Sequence, residues 1–274
     1  KFIKTMHLKK QMKKTKEDSL FQGNIVWVTL KLLWKGVTFL GKSLFRGTSY
    51  TVKKIKEVKE RPTTKPTYQK LDILHTKNGL FDVFERFLYN NKSTIGLILG
   101  ARGSGKSALG MALLENFAAK TNKRIYAMGF QQAALPSWIK VISTIKEIQN
   151  NAVLLVDEGG IEFSSRNAMS NANKLLSEIL LIARHKDLSV MFITQNSSNL
   201  EVNAIRQADY LLLKPSSLLQ KDFERKKIKQ IYDEAHEDFE ALKDTGGLTY
   251  VYADKFKGFV TNTLPSFWSE RVSK

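Results

Sequence analysis

Residues 97–110 read LILGARGSGKSALG: an apolar run that stops at a glycine-rich loop, then Lys106 and Ser107, then a segment of helical composition. The loop satisfies G-x-x-x-x-G-K-[ST], running from Gly100 through Ala101, Arg102, Gly103, Ser104 and Gly105 to Lys106 and Ser107. No other stretch constrains the fold as tightly. Glycines between a strand and a helix let backbone N–H groups turn inward around an anion, and the helix N-terminus adds a favourable dipole. A loop of this kind, with the first helical turn through Ala108, cradles a polyphosphate. Lys106 is placed to reach the β- and γ-phosphates, and the Ser107 hydroxyl to ligate Mg²⁺. ATP and Mg²⁺ are therefore the expected ligands.

A phosphate loop of this type needs an acidic partner at the end of a neighbouring strand. The stretch NNAVLLVDEGG supplies one, because the apolar run Ala152–Val156 ends in Asp157. Asp157 is expected to hold Mg²⁺ indirectly, through water or through Ser107, and Glu158 to polarise an attacking water. A carboxylate next to the metal-side aspartate favours hydrolysis over simple binding. A third apolar run, LSVMFITQN, ends in Thr194, Gln195 and Asn196. Gln195 is placed to sense a γ-phosphate or to orient water.

The same reading organises the rest of the body. Short apolar runs at 94–99, 124–130, 152–156, 188–193 and 210–213 read as strands, and segments with helical period at 79–91, 106–119, 137–148, 171–186 and 201–207 as helices. Strands without clean alternation, each followed by a helix, predict an α/β fold: a mainly parallel sheet with helices on both faces. A long charged helix is expected over about 217–243, capped by Ser216 or Ser217, and a closing β-hairpin over 248–264.

Charge separates the chain into two parts. Residues 1–70 carry 18 Lys/Arg against 4 Asp/Glu, whereas residues 71–274 carry 26 against 22. The basic excess belongs to an N-terminal extension (1–70), and the ATPase-like body (71–274) is nearly neutral. Such an appendage suits an anionic partner, either nucleic acid or an anionic membrane surface. Within it, NIVWVTLKLLWKGVTFLGKSLFR (24–46) plots as an amphipathic helix, apolar over most of its circumference with a thin basic line. That pattern suits a membrane interface or a protein contact; as a spanning helix it would place Lys31 and Lys35 mid-bilayer at roughly 2.5–3.5 kcal/mol each. Residues 51–70 read as a basic linker. The chain has no cysteine, so disulfide frameworks and thiolate metal sites are excluded.

Lys106-Ser107, Asp157-Glu158 and Gln195, in that order, resemble the FtsK/HerA superfamily of P-loop ATPases. The likeness extends through LLIARHKDLSVMFITQ and IRQADYLLLKP and covers roughly residues 93–215. Within the superfamily it is most similar to viral genome-packaging ATPases, Zot-like phage proteins and conjugative coupling proteins. The resemblance implies a RecA/ASCE-like P-loop NTPase that assembles as a ring, usually a hexamer, and threads double-stranded DNA through its pore. It also implies ATP between subunits, with an arginine from the neighbour completing the site. Arg184 and Arg206 are the candidates, Arg184 the favoured one, and Arg166 in the polar loop SSRNAMSNAN is a candidate DNA contact.

The leading expectation is thus an ATP-driven double-stranded DNA translocase, acting at the cytoplasmic face of a membrane or with a virion, otherwise in the cytoplasm. Two alternatives stand beside it: a Zot-like phage assembly or secretion ATPase, and a membrane-bound nucleotide-dependent scaffold with little turnover. Glu158 argues against the scaffold, which needs no water-activating carboxylate.

Overall fold

The central parallel strands are apolar over almost all of their length because both faces of the sheet are covered. In the computed structural model, which describes residues 61–161, 168–200 and 202–272, β2 (Ile95–Leu99) sends Leu97 and Leu99 to one core and Ile98 to the other. In β5 (Ala152–Asp157), Leu154 and Val156 face the first core, and Val153 and Leu155 the second. The period-2 geometry of a strand is intact, but the two faces are both taken by apolar side chains.

Among the described residues, nine strands form one sheet in the order β1-β9-β8-β7-β2-β6-β5-β3-β4. The remaining strands are β1 (Asp72–Gly79), β3 (Arg124–Met128), β4 (Ile139–Val141), β6 (Leu188–Ile193), β7 (Tyr210–Leu213), β8 (Thr249–Ala253) and β9 (Phe256–Thr261). Strands β4, β3, β5, β6, β2 and β7 run parallel. The hairpin β8–β9 and then β1 extend the sheet antiparallel beyond β7. β6 is inserted between β2 and β5, the RecA/ASCE-like order of a P-loop NTPase fold.

Helix α1 (Phe81–Asn90) and helix α2 (Lys106–Lys120) cover one face, and α3 (Ala168–Ala183), α4 (Val202–Gln207), α6 (Lys226–Glu234) and α7 (His236–Ala241) the other. Helix α2 is buried nearly all round: Leu109, Met111, Leu113, Leu114 and Phe117 are each at most 1% exposed. Each such side chain contributes roughly 1.5–3 kcal/mol of burial. Its outer side is closed by residues 61–71 and by the C-terminal segment. There the buried Glu115 carboxylate accepts from the Thr67 and Ser266 amides at 3.2 and 2.9 Å. Asn116 exchanges two hydrogen bonds with the backbone of Gln69, both 2.8 Å.

Two expectations are corrected, and one element is new. Residues 137–148 do not form a helix; they form the edge strand β4 and a 3₁₀ turn at Ile145–Glu147. β4 is drawn to β3, and the surrounding backbone groups are taken by Gln132 and Arg61, which bind Val141 N–H and the carbonyls of Leu135, Pro136 and Ile139. The long helix over 217–243 is three short ones, α5 (Leu218–Asp222), α6 and α7. It breaks at Phe223–Arg225, whose groups bond to residues 197–200 instead of continuing the helix. Ser217 does cap α5, accepting from Gln220 N–H at 3.2 Å. β1 was not anticipated, because its eight residues are all exposed and show no apolar period.

The amphipathic segment 24–46 and Arg166 lie outside the described residues. Among the described residues, no helix is long and apolar enough to cross a membrane.

Candidate nucleotide site

The loop Gly100–Gly105 leaves β2 at the carboxyl edge of the parallel strands, the edge at which open α/β sheets bind ligands. Gly105 has φ 87° and Gly103 φ 77°, left-handed values that glycine adopts without strain. The Ala101 amide is held by the Pro215 carbonyl at 3.0 Å, and the Ser104 amide by the Ala101 carbonyl at 3.2 Å. By contrast, the N–H groups of Gly103, Gly105, Lys106 and Ser107 have no acceptor among the described residues. Ser104 Oγ is buried and without a partner. Orphaned donors around one turn at a helix N-terminus fit the phosphates of a nucleotide.

Lys106 is buried, and its ammonium rests on the carbonyls of Gly100 and Ala101 at 2.8 and 2.7 Å. Burial lowers its pKa, and the charge of Asp157 partly opposes that. Ser107 Oγ donates to Asp157 Oδ2 at 3.0 Å. Asp157 Oδ1 accepts from Gly159 N–H at 3.1 Å, which fixes the carboxylate at the start of the 3₁₀ turn Glu158–Gly160. Burial raises the Asp157 pKa; the Ser107 and Gly159 hydrogen bonds and the Lys106 charge oppose it. Glu158 follows at once and is half-buried.

Gln195 arrives at the same edge, because Ile193 pairs with both Ile98 and Asp157. Its side chain is exposed, and its carbonyl accepts from Gln220 Nε2. A clamp holds the residues after it. Glu224 Oε2 accepts from the Ser197 amide at 2.8 Å and from the Ser197 hydroxyl, and Arg225 Nε donates to the Ser197 carbonyl at 3.0 Å. The sequence gives this clamp no signal, since a charged helical run reads as a solvated face.

The structure brings Lys106, Ser107, Asp157, Glu158 and Gln195 to one edge. It places Arg184 and Arg206 at the other. Arg184 follows the end of α3, where Lys186 and Asp187 receive the first amides of the β5 segment. Arg206 sits in α4, just before Asp209, whose carboxylate accepts from the Ile95 amide at the start of β2. Both arginines are exposed, and Arg184 borders an open hollow of about 530 Å³ with His185, Leu181 and Gln207. Neither arginine serves the site of its own chain. Arg102 is exposed at the tip of the loop, and Ala108 is buried in the first turn of α2.

A family model described as protein of unknown function (DUF815) matches residues 45–200, a span that contains the loop, Asp157-Glu158 and Gln195. No curated protein matches the chain. Among solved structures, the chain is similar to B204, the DNA-packaging ATPase from Sulfolobus turreted icosahedral virus, at 14% identity and a TM-score of 0.42, over 64% of this chain and 99% of that one. It is also similar to EssC (ATPases 2 and 3) from Geobacillus thermodenitrificans, at 14% identity and a TM-score of 0.41, over 77% of this chain and 47% of that one. A third is the cytoplasmic domain of the Thermomonospora curvata type VII secretion ATPase EccC, at 13% identity and a TM-score of 0.42, over 65% and 27%.

Proposed function

The chain belongs to the family described as protein of unknown function DUF815, and from that premise we propose that it is an ATPase that moves double-stranded DNA. The observation that carries the nucleotide part is the hydrogen bond between Ser107 and Asp157, made beside a buried Lys106 and a loop of orphaned N–H groups. In this reading the loop and the first turn of α2 bind the phosphates of ATP, and Lys106 turns from its two carbonyls to the β- and γ-phosphates. Ser107 and Asp157 would hold Mg²⁺, which neutralises phosphate charge when bound. Glu158 takes a proton from the attacking water, and Gln195 orients that water or reports on the γ-phosphate.

The opposite placement of Arg184 and the loop favours completion of each site by a neighbour, as in a ring, probed below with mixed variants. For the cargo, the support is the resemblance of the three motifs to the FtsK/HerA superfamily and the basic excess of residues 1–70. An extension of that charge meets phosphate without reading sequence. Through residues 24–46 it would place the ring at the cytoplasmic face of a membrane or within a virion. The near-neutral charge of residues 71–274 favours a second reading, an assembly or secretion ATPase with a protein cargo.

The deciding experiment is the steady-state ATPase rate of the full chain with and without linear double-stranded DNA, at low and moderate salt. Stimulation by DNA that fades with salt supports the DNA motor. Turnover indifferent to DNA supports the second reading, and absence of turnover removes both.

A further inference from the structure

One buried cation beside the loop has no part in the reaction described so far. Lys214 follows β7, the strand next to β2, and is 1% exposed. Its amide donates to the Leu99 carbonyl at 2.7 Å, so its side chain starts where the loop starts. A Cβ on Gly100 would stand 2.5 Å from Lys214 Cβ, and a Cβ on Gly105 would stand 3.9 Å from both Cε and Nζ. The lysine stem therefore runs alongside the loop from its first glycine to its last, and the absent glycine side chains leave it room.

The Lys214 ammonium donates to the Gly247 carbonyl at 2.8 Å and to Asn262 Oδ1 at 3.2 Å. An ammonium has three protons to donate, so one remains. Both acceptors are neutral, and Lys214 makes no salt bridge among the described residues. The groups that bond to Lys214 are the two hairpin ends, through the Gly247 carbonyl and Asn262 Oδ1, and Tyr232 of α6, whose hydroxyl donates to the Lys214 carbonyl at 3.1 Å. None of them is an anion. Burying a cation without a counter-charge is unfavourable, and burial pushes Lys214 down to about 8. Gly247 precedes β8 and Asn262 follows β9, which puts the cluster at the carboxyl edge; the orphaned Ser104 hydroxyl lies near the base of the same stem, 2.9 Å from the Cβ that Gly100 lacks.

We propose that Lys214 is a second polyphosphate-binding cation of this site, whose remaining N–H and charge are answered by the phosphate chain of the nucleotide. The proposal rests on the nucleotide reading above. It places a cation on the β7 side of the loop to match Lys106 within it.

The test is equilibrium binding of adenosine, AMP, ADP and ATPγS to the full chain, for the wild type, Lys214→Met, Lys214→Arg and Lys106→Ala. Lys214→Met is expected to leave adenosine binding unchanged and to lose affinity with each added phosphate, reaching about tenfold for ADP and ATPγS, with most of it recovered in Lys214→Arg. An equal loss for all four ligands, or none, would make Lys214 a strut between loop and hairpin and overturn the proposal. Should Lys214→Met not fold, Lys214→Arg decides: between pH 7 and 9.5 wild-type ADP affinity falls more steeply than that of the arginine variant, in which the Lys106 contribution is the same, and parallel profiles overturn it. Lys106→Ala separates the two readings. If it binds ADP like the wild type, or the wild type binds neither ADP nor ATPγS, the nucleotide reading itself fails. If Lys106→Ala weakens binding and Lys214→Met does not, only the second cation is lost.

Discussion

Ser107 Oγ donates to Asp157 Oδ2 at 3.0 Å, although 50 residues separate them in the chain. The bond joins the first turn of α2 to the end of β5 across the intervening strand β6. It orients a hydroxyl that the loop motif alone leaves free to rotate. Asp157→Asn keeps the shape but loses the charge behind that hydroxyl. A roughly 10–100-fold loss in Mg²⁺ affinity is expected, as for other outer-sphere carboxylates, read from Mg²⁺ titrations of ATP turnover. An unchanged Mg²⁺ requirement would remove Asp157 from the metal site.

In the proposed reaction Glu158 takes the proton of water. Positioned general bases contribute about 10²–10⁴-fold, so Glu158→Gln is expected to lose turnover by that factor while retaining bound ATP. Rapid filtration with labelled ATP checks retention. Turnover near the wild-type rate would show that another group serves as base.

Arg184 and the phosphate loop lie at opposite edges of the same sheet, so any catalytic use of Arg184 is in trans. Arginines of this kind contribute about 10³–10⁵-fold in k_cat. Arg184→Ala is expected to be inactive alone and to regain part of its activity when mixed with Glu158→Gln, since one interface of a mixed ring then has both groups. Arg206→Ala in the same mixing assay distinguishes the two candidates. Mixtures as inactive as their components would remove the shared site.

The clamp of Glu224 on Ser197 holds the segment that follows Gln195. Glu224→Ala leaves the Ser197 amide and hydroxyl short of a buried acceptor, at roughly 1–3 kcal/mol for each such group. A lower melting temperature is expected together with reduced k_cat at unchanged KM for ATP, because binding is made at the loop. A rise in KM with k_cat intact would place the clamp in binding instead.

Lys214 also makes stability depend on pH in a stated direction. Its folded value is about 8, against an ordinary 10.5. Between these values the unfolded chain holds the proton and the folded chain does not, so this site's contribution rises with pH across that window. The unfavourable contribution is fully present below about 8 and fades toward 10.5. At 1.36 kcal/mol per pH unit, the wild type is expected to gain about 2 kcal/mol over Lys214→Met between pH 7.5 and 9.5. Denaturant unfolding at both pH values measures it, and Lys106 and Lys123, which burial also lowers, cancel in the difference. Equal responses of the two proteins would show that Lys214 does not titrate there.

By itself the sequence determined the parts whose cause is local. The loop, its glycines, the apolar strands and the hairpin are written in residue type and period, because left-handed turns need glycine and doubly covered strands need apolar side chains throughout. Asp157, Glu158 and Gln195 were legible for a related reason: each breaks an apolar run where its strand meets solvent. The tertiary structure decided what depends on a distant partner. Residues 137–148 have apolar spacing that suits a helix, yet Ile139–Val141 becomes a strand because β3 offers it an edge and Gln132 and Arg61 take the surrounding backbone groups. Glu224 and Arg225 read as a solvated helix face until Ser197 is brought against them. Lys214 ends an apolar strand like any exposed lysine. Only the packing of β7 beside β2 and the hairpin buries it next to the phosphate loop, because burial is a property of neighbours that the order of residues does not name.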